Sequence, residues 1–156
     1  MDKNKNIALV AHDTCKKDLI AWVDENWEEI QKHKLICTGT TGRLVEEALT
    51  RKQVESGKHH PLNIVKLKSG PLGGDQQLGA LITEGLIDMV FFMWDPMQPQ
   101  PHDVDVKALL RLTVLYNVIT ATNRSTADFI ITSTLFNNNY QAKVKDYSGY
   151  INRKVV

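Results

Sequence analysis

Five short, β-prone runs alternate along this chain with segments of helical periodicity. The runs cover residues 7–11, 35–37, 64–68, 88–94 and 118–122. The first and fourth are almost continuously apolar, which is typical of strands buried on both faces. Because strands that alternate with helices form right-handed β–α–β units, the sequence predicts a three-layer α/β/α sandwich around a five-stranded parallel sheet. The length of 156 residues fits one domain over residues 1–156.

The helical segments are predicted at residues 13–33, 43–51, 76–85, 104–116 and 125–135. The first has an apolar face that includes Leu19, Trp22 and Ile30. Gly85 and Asn117 are expected to end the third and fourth helices. Residues 52–61 are charged and are predicted as a surface loop. The polar tail from residue 137 onward supports no structural prediction.

Polar and glycine residues follow every predicted strand. They are His12 and Asp13 after the first, residues 38–42 after the second, residues 69–77 after the third, Asp95 and the His102 loop after the fourth, and Thr122 and Asn123 after the fifth. In parallel sheets ligands bind beyond the carboxyl ends of the strands. We therefore expect these side chains to meet at one edge of the sheet.

Two of these strand ends have the composition of an anion-binding site. Thr38, Thr40 and Thr41 supply hydroxyl groups, Gly39 opens the backbone, and a helix dipole follows. Ser69 and Gly70 begin the second glycine loop, and Lys16 offers a positive charge. The threonines could instead only cap a helix. Neither G-x-G-x-x-G nor a P-loop motif occurs, so a nucleotide is not specifically indicated.

Asp75 and His102 are the candidate proton-transfer groups. Asp75 stands where a helix N-cap belongs, so a purely capping role, with a lowered pKa, is the alternative to catalysis. His102 lies in a proline-rich loop next to carboxylates that could orient its ring. A metal site built from His12, Asp13, Asp95, His102 and Asp105 is a further alternative, although no tight ligand spacing occurs. His33, His59 and His60 are expected to be solvated.

Composition and charge narrow the class of protein. The net charge is +1, from 19 basic and 18 acidic residues, which argues against a dedicated nucleic-acid binder or a polybasic membrane surface. No apolar run reaches the roughly 20 residues of a membrane span. Cys15 and Cys37 form no C-x-x-C motif, and the polar start leads directly into a strand. A cytoplasmic location is therefore expected.

The motifs together resemble those of methylglyoxal synthases. They stand at residues 8–13 (ALVAHD), 38–42 (TGTTG), 69–77 (SGPLGGDQQ), 94–96 (WDP), 101–111 (PHDVDVKALLR) and 121–123 (ATN). The resemblance extends from about residue 7 to residue 136. It implies a Rossmann-like fold and a phosphate lyase that converts dihydroxyacetone phosphate to methylglyoxal and inorganic phosphate.

The resemblance also implies roles for individual residues. Asp75 would be the catalytic base, and His102 is expected to donate to the enediolate that forms. Substrate binding would fall to His12, Lys16, Thr38, Gly39, Thr40, Thr41, Ser69 and Gly70. Asp13, Asp95 and Asp105 would be supporting carboxylates of the pocket. The family implies no metal or other cofactor, a homohexamer, and cooperative inhibition by phosphate.

Two features depart from the family pattern. Residues 52–62 look like an insertion, and Arg153 and Lys154 align only loosely with a C-terminal arginine linked to phosphate sensing. A domain of the same fold also serves as a non-catalytic effector-binding module in carbamoyl phosphate synthetases. That module is the alternative to an enzyme, and Asp75 together with His102 favours the enzyme.

Overall fold

The computed structural model describes residues 1–154 and contains the predicted five-stranded sheet. Its strands are β1 (Asn6–Ala11), β2 (Lys34–Cys37), β3 (Asn63–Lys66), β4 (Met89–Met93) and β5 (Ile119–Ala121). Every pairing is parallel, and the strand order is β3-β2-β1-β4-β5. The predicted fold class is confirmed.

Seven α-helices occur within the described residues. They are α1 (Lys16–Glu25), α2 (Trp27–Ile30), α3 (Gly39–Ser56), α4 (Gly74–Thr83), α5 (Asp103–Leu115), α6 (Arg124–Ile131) and α7 (Ser148–Ile151). Short 3₁₀ turns at Asp13–Cys15 and Gly70–Leu72 precede α1 and α4. Asn117 and Gly85 follow their helices with positive φ angles of 52° and 71°, as expected of residues that end a helix.

Alternate residues of the central strands pack against opposite helix layers. Ile7 and Leu9 belong to a cluster with side chains of α1, α3 and α6. Ala8 and Val10 belong to a second cluster with side chains of α4 and α5. The two apolar layers therefore hold β1 in the middle of the molecule, buried on both faces.

Several predicted boundaries are wrong, and the last predicted helix ends at Ile131 instead of residue 135. The helix expected over residues 13–33 is interrupted at Asn26, which has φ −110° and ψ 17° and whose side chain donates to the carbonyl of Trp22. The helix expected over residues 43–51 begins at Gly39 and continues to Ser56, so much of the expected surface loop is helical. Gln53 is buried within that extension and Gly57, with φ 68°, ends it.

The strand order places a crevice beside the centre of the sheet. From β1 the chain moves outward through β2 and β3, and it then returns to add β4 on the other side of β1. The carboxyl ends of β1 and β4 therefore flank the point where the direction of winding changes, which is where open α/β sheets bind ligands. Among residues 1–154, none of the helices combines the length and the apolar character needed to cross a membrane.

Candidate active site

A cavity of about 320 Å³ opens at this point of the sheet. It is lined by all of the predicted site residues except Asp95 and Asp105: His12, Asp13, Lys16, Thr38, Gly39, Thr40, Thr41, Ser69, Gly70, Asp75 and His102. These residues follow four of the five strands, β1 to β4, so the expected convergence is present for those four. Thr122 and Asn123, after β5, do not line this cavity, and Oδ1 of Asn123 instead accepts from the N–H of Thr126 at the start of α6.

Asp75 reaches the cavity from the first turn of α4. The preceding loop folds tightly, because a Cβ at Gly74 would lie only 2.0 Å from the carbonyl oxygen of Lys68. Gly73, with φ 96°, is the N-cap of α4. The expected N-cap position of Asp75 is therefore wrong, and its carboxylate is free to face the cavity instead of the helix end.

Burial controls the electrostatics of Asp75. The residue is 4% exposed, and this desolvation raises the pKa of its carboxyl above the ordinary value, partly opposed by His102 and aided by Asp105. The Oδ2 atom has no hydrogen-bond partner among residues 1–154 and lies 3.4 Å from Nε2 of His102. A raised pKa and an unsatisfied oxygen give a carboxylate that is a stronger proton acceptor than a solvated one.

Gly70 lies directly against this pair. A Cβ at Gly70 would be 2.7 Å from Nε2 of His102 and 2.9 Å from Oδ2 of Asp75. The backbone of the Gly70–Leu72 turn therefore forms a wall of the cavity and lies close to both the Asp75 carboxylate and the His102 ring. Only glycine leaves room there for the two side chains as they stand.

His12 is held by the loop that follows β4. Its Nδ1 accepts a hydrogen bond of 3.2 Å from the backbone N–H of Asp95. Its ring packs edge-on against Phe92 and His102, with centroid distances of 5.2 and 5.8 Å. Burial, followed by the proximity of His102, lowers the pKa of His12 below its ordinary value, so the imidazole is neutral near pH 7.

Lys16 places a positive charge at the rim of the cavity. Its ammonium group donates to the carboxylate of Asp13, at 2.5 Å, and to the hydroxyl of Thr40. The Lys16 ammonium lowers the pKa of the Asp13 carboxyl, which is almost fully exposed. The ammonium thus joins the loop after β1 to the loop after β2.

The threonine loop lies at the N-terminus of α3. Thr38 is the N-cap residue by its backbone, but its hydroxyl makes no capping hydrogen bond with any described residue. The loop packs tightly on the serine loop, since a Cβ at Gly39 would be 2.9 Å from Cβ of Ser69. The threonine hydroxyls, the positive end of the α3 dipole and a nearby ammonium together form a cradle for an anion.

Asp95 and Asp105 do not line the cavity. The Asp95 carboxylate accepts from Thr14 at 2.6 Å and from the N–H of Met97 at 2.9 Å, and its backbone holds His12. Asp105, in the first turn of α5, acts on the pKa of Asp75 through its charge. Within residues 1–154 no three His, Cys, Asp or Glu side chains are grouped as a metal would require, so the five residues weighed as a metal site do not meet as ligands.

Sequence reasoning assigned no role to several residues that line the cavity. They are Val10, Ala11, Pro71, Phe92 and Gln100. The apolar run of β1 contains no signal that distinguishes Val10, whereas the position of Gln100 between two prolines beside His102 was the available signal for that residue. His33, expected to be solvated, is 3% exposed, and its Nδ1 accepts from the N–H of Lys5.

The arrangement combines three chemical capacities. A shielded carboxylate can remove a proton from carbon, two imidazoles can act on an adjacent oxygen, and the cradle can hold an anionic group. Their proximity in one cavity suits a small substrate that carries a phosphate next to a carbonyl or hydroxyl carbon.

Comparison with known proteins agrees with this geometry. The model of the MGS-like domain family matches residues 18–122. The methylglyoxal synthase of Maridesulfovibrio salexigens is 58% identical, over 99% of this chain and 100% of that protein. The methylglyoxal synthase of Oleidesulfovibrio alaskensis is 50% identical, over 98% and 97% of the two chains.

A solved structure gives the same result. The crystal structure of methylglyoxal synthase from Elizabethkingia anophelis superposes with a TM-score of 0.87 at 47% identity, covering 100% of this chain and 95% of the other. Because both the sequence and the fold match over almost the whole length, the chain belongs to the methylglyoxal synthase family.

Proposed function

We propose that this protein is a methylglyoxal synthase, a lyase that converts dihydroxyacetone phosphate to methylglyoxal and inorganic phosphate. The observation that carries the proposal is the buried Asp75 carboxylate, with its raised pKa, at the edge of an anion cradle. The names of the relatives, which are 58% and 50% identical over nearly the full length, support the same activity.

The first step is removal of a proton from carbon. Asp75 takes a proton from the hydroxyl-bearing carbon of dihydroxyacetone phosphate, and an enediolate forms. His102, 3.4 Å from Asp75, and His12, on the same cavity wall, are positioned to donate to the enediolate oxygens. Raising the pKa of the carboxyl brings it nearer to the working pH, which favours proton abstraction.

The second step is departure of phosphate. If the C–O bond to phosphate stands perpendicular to the enediolate plane, its electrons leave with the phosphate, and the resulting enol becomes methylglyoxal. If that bond lies in the plane, the proton returns and only isomerisation occurs. Lys16, Thr38, Gly39, Thr40, Thr41, Ser69 and Gly70 would hold the phosphate in the perpendicular geometry and stabilise its charge.

The carboxylates of Asp13, Asp95 and Asp105 are assigned supporting roles. Asp13 shares the ammonium of Lys16, Asp95 holds His12 through its backbone, and Asp105 adds to the upward shift of the pKa of Asp75. The residues thus divide into the base Asp75 with its two histidines, a phosphate cradle and a supporting set of carboxylates.

Assembly, location and regulation extend the proposal. The protein is a cytoplasmic homohexamer of 17.6 kDa subunits that phosphate inhibits cooperatively. Exposed apolar side chains on several faces, such as Val114 at 81% and Phe129 at 80%, offer surface for contacts between subunits. Arg153, whose guanidinium stacks 3.6 Å from the ring of Tyr150, is the candidate for phosphate sensing.

An assay with dihydroxyacetone phosphate tests the activity. The protein should release methylglyoxal and phosphate in equal amounts, and Asp75→Asn should lower the rate by roughly 10²–10⁴-fold, the usual contribution of a positioned base. Asp18→Asn, at an exposed aspartate of α1, is the matched control and should keep full activity.

The same assay distinguishes the alternative of a non-catalytic effector-binding domain. Phosphate binding without any turnover would favour that alternative and contradict the lyase. Undiminished activity of Asp75→Asn would contradict the assignment of the base. Chelator should leave the rate unchanged; loss with EDTA and recovery with Mg²⁺ or Zn²⁺ would require a metal.

A further inference from the structure

Thr14 connects the loops that follow the two central strands. It lies in the 3₁₀ turn Asp13–Cys15 after β1, and its hydroxyl donates a 2.6 Å hydrogen bond to Oδ2 of Asp95, just after β4. The other carboxylate oxygen, Oδ1, accepts from the N–H of Met97 at 2.9 Å. Both carboxylate oxygens of Asp95 are therefore held by a hydrogen bond, and the bond from Thr14 connects Asp95 to the turn that follows β1.

The position of Asp95 determines the protonation of His12. The backbone N–H of Asp95 points at Nδ1 of His12 at 3.2 Å. A backbone N–H can only donate, so Nδ1 must be the unprotonated nitrogen, and the proton of the neutral ring must be on Nε2. The His12 Nε2 atom is buried, has no hydrogen-bond partner among residues 1–154, and belongs to a residue that lines the cavity.

We propose that Thr14 is a positioning residue which, through Asp95, holds His12 as the neutral Nε2–H tautomer and so makes it a hydrogen-bond donor to the substrate. The role in catalysis rests on the proposed lyase activity, whereas the tautomer itself does not. Without the Thr14 bond the Asp95 N–H loses its alignment with Nδ1, and the other tautomer, which presents an acceptor to the cavity, becomes accessible. An acceptor there would repel an enediolate oxygen.

Nitrogen NMR of the His12 side chain tests the proposal without any turnover. In the wild type, Nε2 should show the shift of a protonated nitrogen and Nδ1 that of an unprotonated one. In Thr14→Val, which keeps the side-chain shape but lacks the donor, the two shifts should move toward each other. The kcat should fall roughly tenfold, the effect of one lost hydrogen bond to a charged group, with little change in KM.

Three further variants control the experiment. Thr14→Ser restores the donor and should restore both the shifts and kcat. Thr132→Val removes a hydroxyl that donates to the Asp128 carbonyl in α6, away from the cavity, and should change neither. Thr14→Ala, which also lacks the donor, provides the comparison if the valine variant does not fold.

The proposal is overturned by a wild-type His12 that carries its proton on Nδ1, or by Thr14→Val shifts identical to those of the wild type, whatever the rate. A protein with the Nε2–H tautomer, the expected response to Thr14→Val and no turnover would contradict the lyase and support the tautomer control.

Discussion

At the scale of single residues, the cavity depends on the missing side chain of Gly70. A Cβ there would lie 2.7 Å from His102 and 2.9 Å from Asp75, and both of these atoms are ends of side chains that can move aside. We expect Gly70→Ala to fold with nearly unchanged stability and to lose about 10²–10⁴-fold in kcat/KM, because the side chains proposed to transfer the proton are displaced. Thermal unfolding and steady-state kinetics measure the two effects.

Gly149→Ala is the matched control for this substitution. A methyl group added at Gly149 would meet no described atom within 4 Å beyond its chain neighbours and the backbone of its own helix, and the φ angle of Gly149 lies outside the left-handed region. The variant should keep both activity and stability. Normal turnover by Gly70→Ala would show that Asp75 and His102 do not need their present separation.

The buried charge of Asp75 also affects stability. Because desolvation raises its pKa in the folded state, the folded protein binds more protons than the unfolded chain between the unfolded value near 3.8 and the raised value. Stability therefore falls as the pH rises through this interval. Asp75→Asn cannot ionise, so we expect it to be more stable than the wild type near pH 7 and to lose this advantage as the pH approaches 3.8.

Denaturant unfolding of the two proteins over a range of pH measures this difference. A constant difference between wild type and Asp75→Asn at every pH would show that the carboxyl is not perturbed in the folded state. In the expected outcome, Asp75→Asn lowers the activity and raises the stability near pH 7 in the same protein.

At this scale the sequence was informative about residue types and less so about geometry. Asp75, His102 and His12 are chemically distinctive and stand at strand ends, so their convergence followed from the rule for parallel sheets. The expected cap at Asp75 was wrong because the left-handed Gly73 takes that position. The role of the Asp95 N–H was not predictable, since a backbone donor leaves no mark in the sequence.

At the scale of the elements, the start of α3 and the turn before α1 meet through Lys16. The ammonium contacts the hydroxyl of Thr40, at the cradle proposed for phosphate. We expect Lys16→Met, which retains most of the apolar stem, to raise KM for dihydroxyacetone phosphate by about 10- to 100-fold, the effect of a lost charge-assisted hydrogen bond.

Lys17→Met is the control for this element. Lys17 is the next residue of α1, is exposed and does not line the cavity, so the KM of this variant should equal that of the wild type. If Lys16→Met has the same KM as the wild type in this assay, the Lys16 ammonium does not contribute to phosphate binding.

Element types were predictable, but several ends were not. Apolar periodicity located the strands and the core faces of the helices, whereas the extension of α3 is polar and gave no such signal. Gln53 is buried there because its side-chain amide donates to Gln31 and to the carbonyl of His60. Because of these tertiary hydrogen bonds, the segment is helical although its charged composition predicted a loop. In the sequence, only Gly57 indicated where the helix ends.

At the scale of the whole molecule, the buried His33 makes the free energy of unfolding depend on pH. Burial, followed by the charge of Lys5, lowers the pKa of His33 to about 4 from 6.5. The unfolded chain therefore binds a proton that the folded protein does not between these values, and stability falls as the pH decreases from about 6.5 toward 4. The contribution of His33 to this loss is about 2 kcal/mol between pH 7.5 and pH 5.

His33→Asn tests this contribution. Asparagine does not titrate and can accept from the N–H of Lys5 in place of Nδ1. The variant should be less stable than the wild type at about pH 7.5 because the smaller side chain leaves a void, yet it should lose less stability on acidification. Parallel pH profiles of the unfolding free energy for the two proteins would contradict the assignment.

The pairing of β1 with β4 joins segments about eighty positions apart in the chain, for example Ile7 with Met89. The proposed catalytic residues are divided between these two segments, with His12 following β1 and His102 following β4. During synthesis, α1, β2 and the threonine loop can therefore form before the protein has any catalytic activity. We expect turnover only after β1 has paired with β4, so the recovery of activity during refolding measures when this long-range contact forms.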